Sequence, residues 1–124
     1  MLNIRPVKKE DISILGEMFV LVYTVFDVGE RWTKESATKY MSYWFEKQPD
    51  LAFVAEYDGK IAGAFLSAIK PWWDGNHLFD GEVFVHPDFQ NKDIGKALFK
   101  KIFTEAVKKY HAKILNSNSQ YFFL

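Results

Sequence analysis

The sequence predicts an α/β protein in which helices pack on a mixed β-sheet. Three observations support this class: segments with helical periodicity, runs rich in β-branched and aromatic residues, and an Asp-Gly pair between two such runs. With 124 residues, 48% of them hydrophobic, the chain can bury one substantial core. We therefore predict a single domain, residues 1–124, with the element order β-α-α-β-β-β-α-β.

The N-terminal part of the chain predicts one short strand and two amphipathic helices. The strand is "LNIRP", and Asp11 is a plausible N-cap for the first helix. A start of this helix at Val7 is the alternative. Thr33 can cap the second helix. Each helix carries one apolar stripe, made of Ile12, Leu15, Phe19, Val22 and Phe26 in the first and of Ala37, Tyr40, Met41 and Trp44 in the second.

A hairpin is predicted in the middle of the chain. "LAFVAEY" and "KIAGAFLSAI" indicate strands, and Asp58-Gly59 between them supplies the positive φ angles of a tight turn. A loop, "KPWWDGNH", and a third long strand, "LFDGEVFV", follow, with Gly81 as the mark of a bulge. The last elements are a long helix and the strand "AKILN". The apolar residues of that helix are four apart: Ile94, Leu98, Ile102, Ala106 and Tyr110.

Charge and composition argue against several functions. Sixteen basic residues balance sixteen acidic ones, so the formal net charge is zero. The charge therefore gives no reason to expect nucleic acid or an anionic membrane as a partner. The absence of cysteine excludes disulfides, cysteine-based zinc sites and a thiol nucleophile. His77, His86 and His111 lack the spacing of metal ligands, so no metal is expected. No apolar run approaches about 18 residues, and we expect a soluble, cytoplasmic protein.

The segment "VHPDFQNKDIGKALF" joins the third long strand to the last helix and predicts an anion site. Free backbone N–H groups at a helix start converge on one point, and the helix dipole adds positive charge there. Lys92 and Lys96 add charge, and Gln90 adds amide donors. Gly95 lets the backbone approach a ligand closely. An ordinary β-α corner with solvated lysines is the alternative interpretation.

The same segment carries a family motif. The strand ends in Val85-His86-Pro87, and the cradle that follows consists of Gln90, Asn91, Lys92, Asp93, Ile94, Gly95, Lys96 and Ala97. This spacing resembles that of the GNAT superfamily of N-acetyltransferases, which use acetyl-CoA. The opening "IRPVKKEDISIL" is similar to the first strand and helix of that family, and the resemblance covers about residues 3–116.

The resemblance implies a place for acetyl-CoA. The backbone amides from Asn91 to Lys96 would hold the pyrophosphate. The backbone of Val83, Phe84 and Val85 would pair with the pantetheine arm. An N–H near Phe84 or Val85 would donate to the thioester carbonyl and stabilise the oxyanion. Asn118 resembles the asparagine that opens the next helix of the family, and we assign it to the cofactor site.

Asp93 departs from the family pattern, because it replaces the first glycine of the motif. Its charge should repel a pyrophosphate by about 1 kcal/mol at exposed distances. Aspartate tolerates left-handed backbone better than most residues, so the loop shape can survive. The side chain could instead cap the helix and compete with phosphate for the same N–H groups. Both interpretations stay open at this point.

The acceptor amine must lose a proton before it attacks a thioester, and Glu82 is the best candidate for the base. It shares a strand face with Phe84, beside the place implied for the thioester, and the family often has an acid there. Asp80 is a second candidate, acting directly or through water. A solvated strand carboxylate is the alternative interpretation of Glu82.

Aromatic and acidic residues in two loops predict a cationic acceptor, because aromatic faces and carboxylates attract ammonium groups. The residues of this predicted substrate site are Trp72, Trp73 and Asp74 in one loop and Asp27, Glu30 and Trp32 in the other. Exposed tryptophans are costly without a use. They could instead cover the core or a dimer contact.

GNAT domains continue beyond the last strand with a helix and a hairpin, and the family tyrosine that protonates the leaving thiolate would fall past Leu124. Tyr121 is an uncertain substitute. An open sheet edge and the tail "YFFL" predict a homodimer. We expect an N-acetyltransferase acting on a small cationic amine of the aminoglycoside or polyamine kind. The alternatives are a non-catalytic CoA-binding module of the same fold and a protein lysine or N-terminal acetyltransferase.

Overall fold

The computed structural model describes residues 1–26 and 29–113, apart from the side chains of residues 25, 26 and 80. Within these ranges, four strands and three α-helices follow one another in the predicted order as far as the last helix. Their bounds are β1 Leu2–Pro6, α1 Ile12–Phe26, α2 Lys34–Lys47, β2 Ala52–Tyr57, β3 Lys60–Trp72, β4 Gly75–Val85 and α3 Ile94–Tyr110. No helix within these described ranges is long and apolar enough to cross a membrane.

The four strands form one antiparallel sheet in the order β1-β2-β3-β4. Lys113 adds a parallel bridge to His77, and its N–H donates to the carbonyl of Asn76 at 2.8 Å. This bridge gives the sheet its mixed character, so the predicted fold class is confirmed. The rest of the predicted last strand, from residue 114, lies outside the described residues, as do Asn118, Tyr121 and the "YFFL" tail.

Helices cover both faces of the sheet. α1 and α2 pack on one face, where Leu15, Phe19 and Met41 are almost fully buried. α3 packs on the other face through Ile94, Leu98 and Ile102. Among the described side chains, the predicted apolar stripes are therefore the buried stripes, with Tyr40 and Tyr110 only partly buried at their margins. The side chain of Phe26, the last residue of the first stripe, lies outside the description. The Asp58-Gly59 turn has the predicted positive φ angles, 51° and 82°.

α1 and α2 contact each other without an intervening side chain at Gly16. A Cβ atom at this position would lie 2.3 Å from Thr38 Oγ1 and 2.9 Å from Thr38 Cα. Real Cβ atoms do not approach other heavy atoms so closely, so glycine is required for this helix spacing. The two helices therefore pack as one unit against the sheet.

The ends of the first two helices partly follow the predictions. Thr33 caps α2 as predicted, accepting the Ser36 N–H at 3.0 Å. Asp11 does not cap α1, which is a correction. It ends a short 3-10 turn that precedes α1, accepts the Lys8 N–H at 2.7 Å and pairs with Arg5 at 2.8 Å. Burial of Asp11 opposes these donors, yet Arg5 and the Lys8 N–H together lower the pKa of its carboxyl.

The predicted loop at residues 70–77 is wrong, because β3 and β4 continue through most of it. Only Trp73 and Asp74 remain as the turn. Pro71 suggested a loop, since proline cannot donate to a sheet ladder. However, β2 pairs with β3 only as far as Leu66. No carbonyl of β2 therefore needs an N–H donor at Pro71. β3 therefore extends beyond the end of β2 and forms a long hairpin with β4.

Candidate active site

The site is organised by a β-bulge in β4. Glu82 pairs with Leu66 and Phe79 with Ala68, so Asp80 and Gly81 together face a single residue of β3. A Cβ atom at Gly81 would lie 1.7 Å from the carbonyl oxygen of Leu66. Only glycine fits this position, and the predicted bulge is confirmed.

The bulge decides which side chains of β4 face which helices. Successive residues of a strand point to opposite faces of the sheet. One extra residue therefore moves every later side chain to the opposite face from the one it would otherwise occupy. After the bulge, Phe84 packs in the α1–α2 layer, with its ring 5.6 Å from that of Phe19. Val85 joins the cluster on the α3 face. Glu82 lies on the Phe84 face and points towards α1 and α2.

Two tyrosine hydroxyls hold Glu82. Tyr23 of α1 donates to Oε1 at 2.8 Å, and Tyr40 of α2 donates to Oε2 at 3.0 Å. Burial raises the pKa of Glu82, the two hydroxyls lower it in part, and the charge of Glu30 raises it again. Burial also raises the pKa of Tyr40 to about 12 and that of Tyr23 further. Both phenols therefore remain protonated donors at neutral pH.

An aromatic wall surrounds this carboxylate; we define it as Phe19, Tyr23, Trp32 and Tyr40. The ring of Phe19 lies 4.4 Å from Tyr23, 5.0 Å from Trp32 and 5.5 Å from Tyr40. Trp32 stacks on Tyr40 at 5.1 Å, and its Nε1 donates to exposed Glu30 at 2.7 Å. The wall and the two carboxylates form one acidic, aromatic surface.

Sequence reasoning placed Glu82, Glu30 and Trp32 in the site, and the structure brings these three together. It missed the two hydroxyl partners of Glu82. Tyr40 was assigned to an apolar stripe, and Tyr23 was not singled out. The available signal was a phenol on a helix face that should otherwise be apolar, because a buried hydroxyl needs a partner.

The other residues predicted to bind the acceptor amine lie away from Glu82 or outside the described part of the structure. Trp72 and Trp73 are 52% and 86% exposed at the tip of the β3–β4 hairpin. Leu66 of β3 lies opposite Glu82, and the six residue steps from Leu66 to Trp72 span about 20 Å, so the structure does not bring these tryptophans to Glu82. The carboxylate of Asp74 pairs with Nε2 of His77 at 2.6 Å and with Nζ of Lys113 at 3.4 Å. Asp27 and the Asp80 side chain lie outside the described part of the chain.

The outer edge of β4 presents main-chain groups near the bulge. The His86 N–H donates to the carbonyl of Ala62 in β3 at 2.7 Å. Antiparallel ladders alternate, so the N–H and C=O of Phe84 also face β3, while those of Val83 and Val85 point outward. This corrects the implied use of the Phe84 backbone. In the sheet that the structure describes, no strand pairs with this outward edge from Val83 to Val85.

The side chain of Gln90 braces the end of β4. Its Nε2 donates one hydrogen to the Val85 carbonyl at 2.8 Å. The amide has a second N–H, so its part in the anion site stays a prediction. The contact fixes the distance between the strand end and the loop that follows, and it leaves the Val85 N–H as the outward donor.

The loop before α3 has the geometry of an anion site. Asn91 and Asp93 have φ angles of 63° and 59°, both in the left-handed region. The first backbone bond of α3 joins the Ala97 N–H to the Asp93 carbonyl at 3.1 Å, so the N–H groups of residues 94–96 precede the helical ladder. Such turns direct successive N–H groups to one point.

The charged side chains of this loop leave its N–H groups uncovered. Lys96 Nζ lies 3.8 Å from the Asp93 carboxylate, and Lys92 Nζ lies over the Tyr57 ring at 5.3 Å. Asp93 stands at the N-cap position, but its side chain makes no capping hydrogen bond within the described chain. The interpretation of Asp93 as a side-chain cap is therefore wrong. Aspartate is accommodated at this position because it tolerates the left-handed backbone conformation.

The sheet and its helices, two on one face and one on the other, have counterparts among known proteins. Solved structures with this architecture include acetyltransferases. A family model described as "Acetyltransferase (GNAT) family" matches residues 17–123. The chain belongs to this family.

Two curated relatives illustrate the sequence similarity. An uncharacterized N-acetyltransferase of Methanocaldococcus jannaschii is 31% identical over 111 residues, which is 86% of this chain and 49% of the relative. The L-amino acid N-acyltransferase MnaT of Escherichia coli is 26% identical over 113 residues, 85% of this chain and 63% of the relative. The chain thus spans about half to two thirds of the length of these relatives.

Solved structures show the same fold at low identity. A Pyrococcus horikoshii protein has a TM-score of 0.73 and 22% identity, covering 99% of this chain and 83% of its own. A Brucella melitensis GNAT acetyltransferase in complex with acetyl-CoA has a TM-score of 0.69 and 19% identity, covering 99% and 80%. A soil-metagenome aminoglycoside acetyltransferase with sisomicin has a TM-score of 0.66 and 18% identity, covering 96% and 78%.

Proposed function

We propose that the protein transfers the acetyl group of acetyl-CoA to a primary amine of a small cationic molecule. The observation that carries this proposal is Glu82, a half-buried carboxylate within an aromatic wall. Glu82 belongs to the strand whose outer edge and following loop suit CoA. Membership of the GNAT family supports the reaction class.

Acetyl-CoA fits the outer edge of β4 and the loop after it. The amides from Asn91 to Lys96 would bind the pyrophosphate, which needs no basic side chain at a helix start. The outward main-chain groups of Val83 and Val85 would pair with the pantetheine arm. The Val85 N–H is then the donor best placed to stabilise an oxyanion on the thioester carbonyl. A relative of the same fold has been solved with acetyl-CoA, which supports this co-substrate.

The chemistry needs an acceptor for each of two amine protons. An ammonium group has no lone pair, so Glu82 takes the first proton from it, and the neutral amine attacks the carbonyl carbon of the thioester. The tetrahedral intermediate then collapses and the C–S bond breaks. The second proton passes from the amine nitrogen to the departing sulfur, directly or through water, so the products are the acetamide and CoA thiol. Burial keeps the pKa of Glu82 above its ordinary value, which makes the carboxylate a stronger base than a solvated one.

A cationic acceptor suits the surface around Glu82. Glu30 and Glu82 carry negative charge, and ring faces such as those of Trp32 and Tyr40 attract ammonium groups. The aminoglycoside acetyltransferase of the same fold, solved with sisomicin, supports an acceptor of the aminoglycoside or polyamine kind. A homodimer and a cytoplasmic location stay predictions from the sequence.

The proposed function is tested by a CoA-release assay over a panel of amines, run beside calorimetry with acetyl-CoA. We expect acetyl-CoA binding, and turnover with aminoglycosides and di- or polyamines above that with zwitterionic amino acids, whose net charge is near zero. Binding without turnover on any amine or peptide would support the non-catalytic CoA-binding module instead. Turnover restricted to peptides would support the protein acetyltransferase. Absence of stabilisation by millimolar acetyl-CoA would exclude all three, because a bound ligand must raise apparent stability.

Asp93→Gly is expected to tighten acetyl-CoA binding about fivefold, which corresponds to about 1 kcal/mol of removed repulsion. Glycine also adopts the left-handed conformation of this position without a steric cost, so the loop should keep its shape. Calorimetric dissociation constants at low and high salt check the result. The gain should shrink at high salt, because an exposed charge is screened.

Asp88→Asn is the matched control for this change. Asp88 is an exposed acid of the turn between β4 and the loop, and its backbone N–H bonds to His86. Removing its charge should leave the affinity almost unchanged. Equal affinity of the wild type and the Asp93→Gly variant for acetyl-CoA would show that Asp93 carries no electrostatic cost.

A further inference from the structure

Glu82 receives one hydroxyl on each carboxylate oxygen, and the two donors come from different helices. Tyr23 lies 59 residues before Glu82 and Tyr40 lies 42 residues before it, so the contact depends entirely on the tertiary fold. Within the described residues, no cation pairs with Glu82. The charge of Glu30, in the segment before α2, acts on Glu82 and raises its pKa. The two phenols are neutral donors that act in the opposite direction.

This geometry leaves the carboxylate able to react. A carboxylate has two acceptor sites on each oxygen, and Tyr23 and Tyr40 use one site on each. One acceptor site on each oxygen therefore stays available to an incoming ammonium. Two fixed donors also prevent rotation of the carboxylate, so the direction of the remaining acceptor sites is set by α1 and α2.

The hydroxyls have a second effect, on the charge of Glu82. Moving a carboxylate out of water favours its protonated form, which cannot act as a base. Hydrogen bonds donated to the charged form counter this, and they are stronger than bonds between neutral groups. Phenols suit this role because they donate without adding a charge that would repel the ammonium.

We propose that Tyr23 and Tyr40 form a clamp that keeps Glu82 ionised and aims it at the acceptor amine. They are positioning residues, because they act through Glu82 and need not touch the reacting atoms. This inference rests on the proposed function of Glu82 as the base. It predicts that the clamp controls the pH at which the protein works.

Tyr23→Phe and Tyr40→Phe test the clamp, since each removes one hydroxyl and keeps the ring. Each variant should shift the acidic limb of the pH–rate profile to higher pH. At pH 7 the rate constant kcat should fall about tenfold and should recover at alkaline pH, while KM for acetyl-CoA stays unchanged. Thermal unfolding of each variant, measured alongside, reports any loss of fold.

Tyr43→Phe is the matched control. Tyr43 lies on the same helix as Tyr40, is 53% exposed, and its hydroxyl accepts from Lys47 at 3.1 Å. It has no contact with Glu82 in the structure. Its removal should leave the pH–rate profile in place, which separates the clamp from a general effect of removing a phenol.

A titration of Glu82 itself separates this inference from the proposed function. The 13C signal of the Glu82 carboxyl, assigned by its loss in Glu82→Gln, is followed against pH in each variant without any substrate. An upward shift in Tyr23→Phe and Tyr40→Phe supports the clamp even if no amine is acetylated, in which case only the proposed function fails. An unchanged titration in both variants overturns the clamp, even where Glu82→Gln abolishes turnover and the proposed function stands.

Discussion

Replacing Glu82 with glutamine is expected to lower the rate of acetyl transfer at pH 7 by about 10²- to 10⁴-fold, the typical contribution of a positioned base. Glutamine keeps the shape of the side chain, and its carbonyl oxygen can still accept from Tyr23 or Tyr40. It cannot accept a proton from an ammonium. Because Glu82 faces the α1–α2 layer and the loop after β4 is untouched, acetyl-CoA affinity should hold.

The pH dependence of this loss follows from the direction of the pKa shift. Burial raises the pKa of Glu82, so the wild-type rate should rise with pH as this carboxyl loses its proton. The variant lacks that limb. The difference between the two proteins should shrink at alkaline pH, where more of the acceptor amine is already neutral.

Glu46→Gln provides the control for the same chemical change on an exposed position of α2. It should leave the rate and its pH dependence unaltered. An active wild type whose Glu82→Gln variant keeps its full rate at pH 7 would rule out Glu82 as the base and direct attention to Asp80. Initial rates of CoA release between pH 6 and about pH 10 decide the matter.

Gly81→Ala is expected to lower the free energy of unfolding by about 3 kcal/mol or more, at the upper end for an added methyl group. The new Cβ would lie 1.7 Å from the Leu66 carbonyl oxygen and 2.9 Å from Ser67 Cα. Both are backbone atoms, so no side chain can rotate away and the two strands must separate. A fall of roughly 10 °C in the unfolding midpoint corresponds to this loss.

The Gly81 variant should also lose the site, because the bulge turns Glu82 to the face of Tyr23 and Tyr40. Gly59→Ala is the control: it has φ +82° but no atom within 4 Å of its Cβ, so it carries only a conformational cost of about 1 kcal/mol. Denaturant unfolding of both variants separates steric from conformational strain. Equal losses at the two positions would contradict the importance of the β3–β4 contact.

Local sequence signals predicted the elements correctly where one interaction type dominates. The apolar residues of α3, spaced four apart, are its buried stripe because a single face meets the sheet. The Asp58-Gly59 turn has its predicted φ angles because few other residues adopt them. Gly81 was predicted to mark a bulge because a glycine inside a strand often does so.

The errors arose where the outcome depends on neighbours distant in sequence. Pro71 and the tryptophans suggested a loop, since the sequence does not tell that β2 ends its pairing at Leu66. The clamp on Glu82 could not be predicted either. It requires α1 and α2 to cover one sheet face in a particular register, and no local pattern encodes that register.

The contact between Gly16 and Thr38 bears on how the acceptor range of this protein could be re-engineered. The close contact at Gly16 sets the spacing of α1 and α2, and with it the distance between the walls they contribute. On the proposed function, the selectivity for an amine would then depend on the side chains that line this frame. A mutant library aimed at new acceptors should vary Trp32 and its neighbours in the aromatic wall. It should leave Gly16 and Thr38 untouched, since changes there would alter the frame.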